Sequence, residues 1–298
     1  MKAKAYAKIN LDLRVGEVYE NELHEIMSIV APISLHDKIT VKLTNQADNK
    51  IISKTPWFKT SALYDFLADF QTEFSLNKKV LIKIKKNIPL GAGLGGISTV
   101  FATLLNCLSK IYRLNLTLLQ KTDFIEKYGQ DCVYFLNPKP GVMLNSGSTV
   151  EYFEKCPFKY VYLKNFKEPF STAEMYKKVK SNTIDKDKVK ENVKLFIEGK
   201  AFEFWDNTKN DFDDVYQLSS ETEQNVYLAL KKACYKLQTT GSGSSVFTLD
   251  CNFPDKQVKY PALPYFKKYR FLNYYNFEFN KLSTFKKILV FLQKLIFV

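Results

Sequence analysis

Hydrophobic and polar residues alternate one by one near the start of the chain. Over residues 5–15 the apolar positions Ala5, Ala7, Ile9, Leu11, Leu13 and Val15 interleave with Tyr6, Lys8, Asn10, Asp12 and Arg14. A period of two predicts a β-strand with one buried face. Lys8 and Asn10 then point the same way, about 7 Å apart along the strand. Residues 26–43 predict one or two further strands around His36 and Asp37, and residues 80–85 alternate again. Helical spacing follows in two places: Leu63, Phe66, Leu67 and Phe70 within 58–73, and Phe101, Leu104, Leu105 and Leu108 within 98–112. Thr117, with Gln120 three residues on, has the form of a capping box opening another helix, which ends near Tyr128 and Gly129.

Near residue 150 the pattern starts afresh. A strand is expected over 159–163 and helices over 190–205 and 221–237. A glycine and hydroxyl loop over 239–245 feeds a strand over 246–249. Phe285, Ile288, Leu289, Leu292, Leu295 and Ile296 repeat at helical spacing in the last residues. That segment packs on its own domain or makes a dimer or membrane-surface contact through Lys286, Lys287 and Lys294. The expected architecture is two α+β halves, 1–150 and 151–298.

The bulk numbers narrow the classes. Five cysteines, Cys107, Cys132, Cys156, Cys234 and Cys251, are odd in number and widely spaced, which excludes a disulfide scaffold or a Cys-x-x-Cys zinc site. The alternating N-terminus is no signal peptide, and no run reaches membrane-spanning length. A reduced, cytoplasmic protein is the expectation. A net charge of +13 is spread over dispersed lysines rather than an arginine-rich arm. It suits a solvated basic surface, or a cleft that concentrates small anions. No nucleic-acid partner is expected.

Glycine is the sharper signal. Of 11 glycines, four fall within the ten residues PLGAGLGGIS at 89–98, between the strand over 80–85 and the helix over 98–112. Glycine lets a backbone turn tightly and approach a ligand, and a helix start offers unpaired N–H groups to an anion. The stretch is not a Walker A loop, since no Gly-Lys-Ser/Thr follows. Gly91, Gly93 and Gly96 match G-x-G-x-x-G, yet the rest of a dinucleotide-binding βαβ unit is missing. Ser98 and Thr99 stand where a hydroxyl caps the helix, touches a phosphate or reaches a metal ion.

Read as a whole, this stretch resembles the ATP-phosphate loop of the GHMP small-molecule kinases, among them galactokinase, homoserine kinase, mevalonate kinase and phosphomevalonate kinase. Within that superfamily the order of segments is most similar to the 4-diphosphocytidyl-2-C-methyl-D-erythritol kinases. Ala7-Lys8-Ile9-Asn10-Leu11, Leu23-His24-Glu25-Ile26, the glycine loop, Gly129-Gln130-Asp131-Cys132-Val133-Tyr134-Phe135, Ser171-Thr172-Ala173-Glu174-Met175-Tyr176 and Thr240-Gly241-Ser242-Gly243-Ser244 carry the resemblance. It implies a two-domain α+β fold with an N-terminal ribosomal-protein-S5-like domain. Leu23 stands where that pattern has a tyrosine of the cytosine platform, so Tyr19 or a second-half aromatic such as Phe170 is the expected replacement ring.

The resemblance also implies the chemistry. Asp131 orients the acceptor hydroxyl and takes its proton, and Lys8 holds that aspartate and steadies the moving phosphoryl group. ATP lies on Pro89, Gly91, Ala92, Gly93, Leu94, Gly95, Gly96, Ser98 and Thr99, with Mg²⁺ held partly by Ser98. Asn10, His24, Thr172, Gly241, Ser242 and Gly243 bind an anionic small-molecule substrate, His24 at the cytosine edge. The protein acts as a monomer or homodimer. A related kinase acting on mevalonate or homoserine, and a non-catalytic nucleotide-binding protein, are the alternatives.

Overall fold

β1 (Lys2–Val18) runs for 17 residues and β2 (His24–Thr44) for 21. The stretch read as one or two strands over 26–43 is therefore a single strand. The computed structural model describes residues 1–20, 22–56, 61–249 and 266–272. Next in the chain come β3 (Lys50–Ser53), α1 (Ser61–Glu73), β4 (Lys79–Lys85), α2 (Ser98–Ile111), α3 (Leu118–Ile125), α4 (Asp131–Phe135), β5 (Gly141–Leu144) and β6 (Thr149–Tyr152). After them stand β7 (Tyr160–Asn165), α5 (Thr172–Lys178), α6 (Lys186–Glu198), α7 (Ala201–Asn207), α8 (Glu221–Ala233), β8 (Gln238–Thr239), β9 (Ser245–Leu249) and β10 (Lys267–Arg270). Short 3-10 turns occupy Glu126–Tyr128 and Asp211–Val215.

Two compact units, interleaved in sequence, share these elements. One holds Met1–Ala7, Leu35–Leu90 and Gly95–Asn137; the other holds Lys8–Ser34, Gly91–Leu94 and the described residues from Pro138 onward. In the first unit, Lys38–Thr44 of β2 pairs antiparallel with β4, and β3 lies parallel to β4. Leu63, Phe66, Leu67 and Phe70 of α1 and Leu104, Leu105 and Leu108 of α2 are buried, as their spacing predicts. The capping box at Thr117 is present in full, with Gln120 N–H on the Thr117 hydroxyl and the Gln120 side chain returning to Thr117 N–H.

In the second unit, Ser28–Val30 of β2 pairs with β5, β5 pairs with β6, and a separate sheet runs β10-β7-β9-β8. The single helix expected over 190–205 is corrected to two, α6 and α7. Gly199 breaks it, in the left-handed conformation at φ 77 that ends many helices. The helix expected over 221–237 stops at Ala233. The amphipathic segment at 284–298 lies outside the described residues.

β1 departs from its pattern in a telling way. Its apolar positions are buried as expected, but Lys8, Asn10 and Asp12 are only 4%, 3% and 1% exposed. Over residues 7–13 the strand is covered on both faces. Burying a charge or an amide costs free energy unless each finds partners, so this row of polar residues calls for an account.

Among the described residues no helix is long and apolar enough to cross a membrane. Cys107, Cys132, Cys156 and Cys234 are all buried free thiols.

Candidate functional site

Gly91, Gly93 and Gly95 sit at φ 64, 72 and 66, which confines this stretch to glycine. At Gly93 space adds to the restriction. A Cβ there would lie 1.8 Å from the Thr240 carbonyl oxygen, and one at Gly243 would lie 1.8 Å from Gly93 N. The two glycine loops, separated by about half the chain, thus touch backbone to backbone within the second unit. Gly91 O accepts from Ser244 N–H at 3.1 Å and from Phe170 N–H at 3.3 Å. Leu94 is buried, and its carbonyl accepts from Lys8 N–H at 3.2 Å.

The buried polar face of β1 answers to the same loops. Lys8 Nζ donates to Asn10 Oδ1 at 2.5 Å, so the two residues share a face, as the strand period predicts. Asn10 Nδ2 donates to the Ser28 hydroxyl at 2.7 Å, and that hydroxyl donates to Asp12 O at 2.8 Å. Asn10 N–H reaches the Thr240 hydroxyl at 3.1 Å, which reaches Gly93 O at 3.4 Å. The Asp12 carboxylate takes Arg14 Nε at 2.9 Å, Asn192 Nδ2 at 2.7 Å and Lys209 N–H at 2.9 Å. Its charge is therefore met by one guanidinium and two neutral donors.

His24 opens β2 in the second unit. Its Nδ1 lies 3.3 Å from Gly16 O and 3.4 Å from the Ser181 hydroxyl. A carbonyl can only accept, so in this contact Nδ1 carries a proton; in the neutral ring Nε2 is then the acceptor. The ring beside it is Tyr176, with centroids 5.0 Å apart and planes tilted by 31°. Tyr176 rests edge-on against Phe212 at 4.9 Å, above a core of Leu13, Val15, Ile26, Met175 and Val179.

Among the second-half aromatics expected as a replacement ring, the one beside His24 is Tyr176. Phe170 packs against Tyr216 at 5.3 Å, and Tyr19 is 38% exposed at the β1–β2 turn. The signal for Tyr176 was in the chain, at the end of the Ser171–Tyr176 segment. Ser171 caps α5 by accepting from Glu174 N–H, and Thr172 in its first turn receives the Ser242 hydroxyl at 3.1 Å.

The first unit holds the remaining candidates. Thr99 N–H turns back to Gly95 O at 2.9 Å, and the N-cap of α2 is Ile97, which makes no side-chain cap. Ser98 therefore does not cap the helix. Its hydroxyl bonds the Cys132 thiol and lies 3.8 Å from the Cβ position of Gly129. Thr99 is buried, which leaves Ser98 as the hydroxyl at the mouth of the loop. Gly129, at φ 134, turns the chain into α4, whose first residue is Asp131, half-buried. Burial pushes the neighbouring Cys132 thiol up to about 12, so it stays protonated. Asp131 belongs to the first unit and Lys8 to the second.

Beneath Gly96, and preceding Pro89, is a buried ion pair. Lys86 Nζ donates to Asp37 Oδ2 at 2.7 Å, while Asp37 Oδ1 accepts Asn87 N–H at 2.6 Å and Ile88 N–H at 2.8 Å. A Cβ at Gly96 would stand 2.9 Å from Lys86 Nζ. Burial lowers the Lys86 pKa and Asp37 opposes that shift.

The fold is similar to that of the GHMP kinases. Residues 60–136 match the GHMP kinases N terminal domain, a stretch that includes the loop from Gly91 to Gly96 and Asp131. The chain is 28% identical over 283 residues to the 4-diphosphocytidyl-2-C-methyl-D-erythritol kinase of Clostridium perfringens (strain 13 / Type A), covering 92% of this chain and 96% of that one. Its fold is similar to a crystal structure of 4-(cytidine 5'-diphospho)-2C-methyl-D-erythritol kinase, with TM-score 0.72, 21% identity and coverage of 92% and 100%. It is also similar to the phosphomevalonate kinase of Streptococcus pneumoniae, with TM-score 0.66, 12% identity and coverage of 91% and 99%.

Proposed function

We propose that this protein transfers the γ-phosphoryl group of ATP to the 2-hydroxyl of 4-diphosphocytidyl-2-C-methyl-D-erythritol, a step of non-mevalonate isoprenoid precursor synthesis. The observation that carries the choice of substrate is His24 with Tyr176 beside it. A neutral imidazole with Nε2 as acceptor suits the exocyclic amino group of cytosine, and an adjacent aromatic ring suits the face of a base. Mevalonate and homoserine have no base to place there.

The loops fit a nucleotide polyphosphate. At Gly93 no side chain would be accommodated, and the loop leads straight into the N-terminus of α2, whose dipole end favours an anion. Gly91, Ala92, Gly93 and Leu94 in one unit and Pro89, Gly95, Gly96, Ser98 and Thr99 in the other are assigned to ATP, with the Ser98 hydroxyl on Mg²⁺. The ion, when bound, offsets charge on the phosphate oxygens. Asp131 takes the proton of the acceptor hydroxyl, and Lys8 steadies the transferred group. Asn10, Thr172, Gly241, Ser242 and Gly243 hold the acceptor.

The test is ADP release from Mg-ATP with the cytidine compound, mevalonate, homoserine or no acceptor, with Asp131→Asn alongside. Turnover with the cytidine compound alone, lost by a factor of roughly 10²–10⁴ in the variant, is expected. Turnover only with mevalonate or homoserine would reject the substrate and keep the chemistry. A variant as active as the wild type would reject Asp131.

A further inference from the structure

We propose that Asn210 is a positioning residue that aims the Gly241–Ser242 backbone at the phosphates of the bound substrate. This rests on the reading of Thr240–Gly243 as a phosphate-contacting loop.

Asn210 is 0% exposed and its side chain is fully engaged at one end of that loop. Nδ2 donates to Thr239 O at 2.9 Å and to Gly241 O at 3.1 Å, while Oδ1 accepts Phe212 N–H at 3.0 Å. One amide thus grips the carbonyls on either side of Thr240. No peptide bond here is cis, and in a trans peptide the N–H points opposite to the preceding C=O. With both carbonyls drawn toward Asn210, the N–H groups of Thr240 and Ser242 are turned away from it. Thr240 N–H is taken by Ser245 O at 3.1 Å. Ser242 N–H heads off the far side of a turn whose Gly241 sits at φ 57. Backbone N–H groups presented by such a turn suit an anion.

Asn210 is itself held firmly. Leu13 N–H donates to Lys209 O at 2.8 Å, Asp12 accepts Lys209 N–H, and Val15 N–H reaches Asp211 Oδ2 at 2.8 Å. Asp213 Oδ1 accepts Thr239 N–H at 2.8 Å, just upstream of the same loop. Segment 209–213 therefore fixes both β1, two residues past Asn10, and the turn at Gly241. Removing the Asn210 amide frees two buried carbonyls and lets the Gly241–Ser242 peptide rotate.

The experiment follows the backbone ¹⁵N–H resonances of Gly241 and Ser242 while inorganic pyrophosphate is added to wild type, Asn210→Ala and Asn210→Asp. In wild type both resonances shift on titration. In Asn210→Ala the midpoint moves up by about tenfold or more, as expected for two lost hydrogen bonds. Asn210→Asp, which recovers a donor only when its buried carboxyl is protonated, recovers affinity as pH falls, whereas the alanine variant does not. In turnover assays the acceptor KM rises with kcat within about threefold. Equal titration midpoints in folded wild type and Asn210→Ala overturn the proposal. So does a lower melting temperature with unchanged acceptor KM, or wild-type loop amides that ignore pyrophosphate. Wild-type amides that respond, with a weakened response in Asn210→Ala but no turnover of any acceptor, reject the kinase reading and keep the role of Asn210.

Discussion

Gly93 and Gly199 share a positive φ but not an environment, and comparing an alanine at each isolates one contact. Their φ angles are 72 and 77. An L-residue there gives up about 1–2 kcal/mol, and this cost is common to both sites. At Gly199 an added Cβ meets nothing within 4 Å, so that cost is the whole expected loss. At Gly93 the same atom would stand 1.8 Å from Thr240 O and 2.8 Å from Gly243 N. Both are backbone atoms, so relief requires the 240–243 turn to move by more than 1 Å rather than a side chain to swing aside. Overpacking of that kind adds about 1–3 kcal/mol. Gly93→Ala should therefore lose roughly 2–5 kcal/mol in total. That corresponds to a melting temperature lower by about 4–20 °C, at about 2–4 °C for each kcal/mol in a chain of this size. Gly199→Ala should lose no more than about 8 °C by the same conversion. Differential scanning calorimetry of the two variants and wild type measures both. Equal melting temperatures for Gly93→Ala and Gly199→Ala would refute the backbone contact between the glycine loops.

Three further outcomes are expected. Desolvation raises Asp213 from 3.8 to about 6, against the hydrogen bond from Thr239 N–H and the charge of Lys231 and with the charge of Asp214. The folded state therefore binds more protons than the unfolded state between those values. The stability contributed by protonation is fully present below about 3.8 and lost as pH rises through about 6, a change of about 3 kcal/mol. Urea denaturation of wild type should show this fall, and Asp213→Asn should flatten it. Lys86→Met leaves Asp37 buried without its cation and should cost about 3–5 kcal/mol, whereas Lys86→Met with Asp37→Asn should recover much of that; chemical denaturation decides. Tyr176→Ala removes the ring beside His24. Stacking worth about 1–3 kcal/mol predicts an acceptor KM higher by about 5–150-fold, with kcat little changed. An unchanged KM would remove Tyr176 from the substrate site.

Sequence by itself determined the local elements and the loop between them. The period of two in β1, the helical spacing in α1 and α2, and the Thr117 capping box appear where the chain encodes them, because each depends on residues at most four apart. The pattern over 190–205 reads through Gly199 as one helix, although a glycine in a helical pattern is a common stop signal. The glycine stretch at 89–98 was legible too, since positive φ at alternate positions admits little else.

Tertiary structure decided the rest. Alternation records one apolar face of β1, but only packing from residues such as Asn192, Lys209 and Thr240, some 180–230 positions away, covers Lys8, Asn10 and Asp12 on the other. Tyr176 reaches His24 because α5 and the start of β2 share a core, and nothing in either segment names the other. Asn210 carries no motif at all. Its two donors acquire their targets only when the turn at Gly241 folds onto it. Short-range periodicity is a property of the chain, whereas which buried polar group meets which is settled by contacts between segments far apart in sequence, where unpaired donors and acceptors cannot be left in the core.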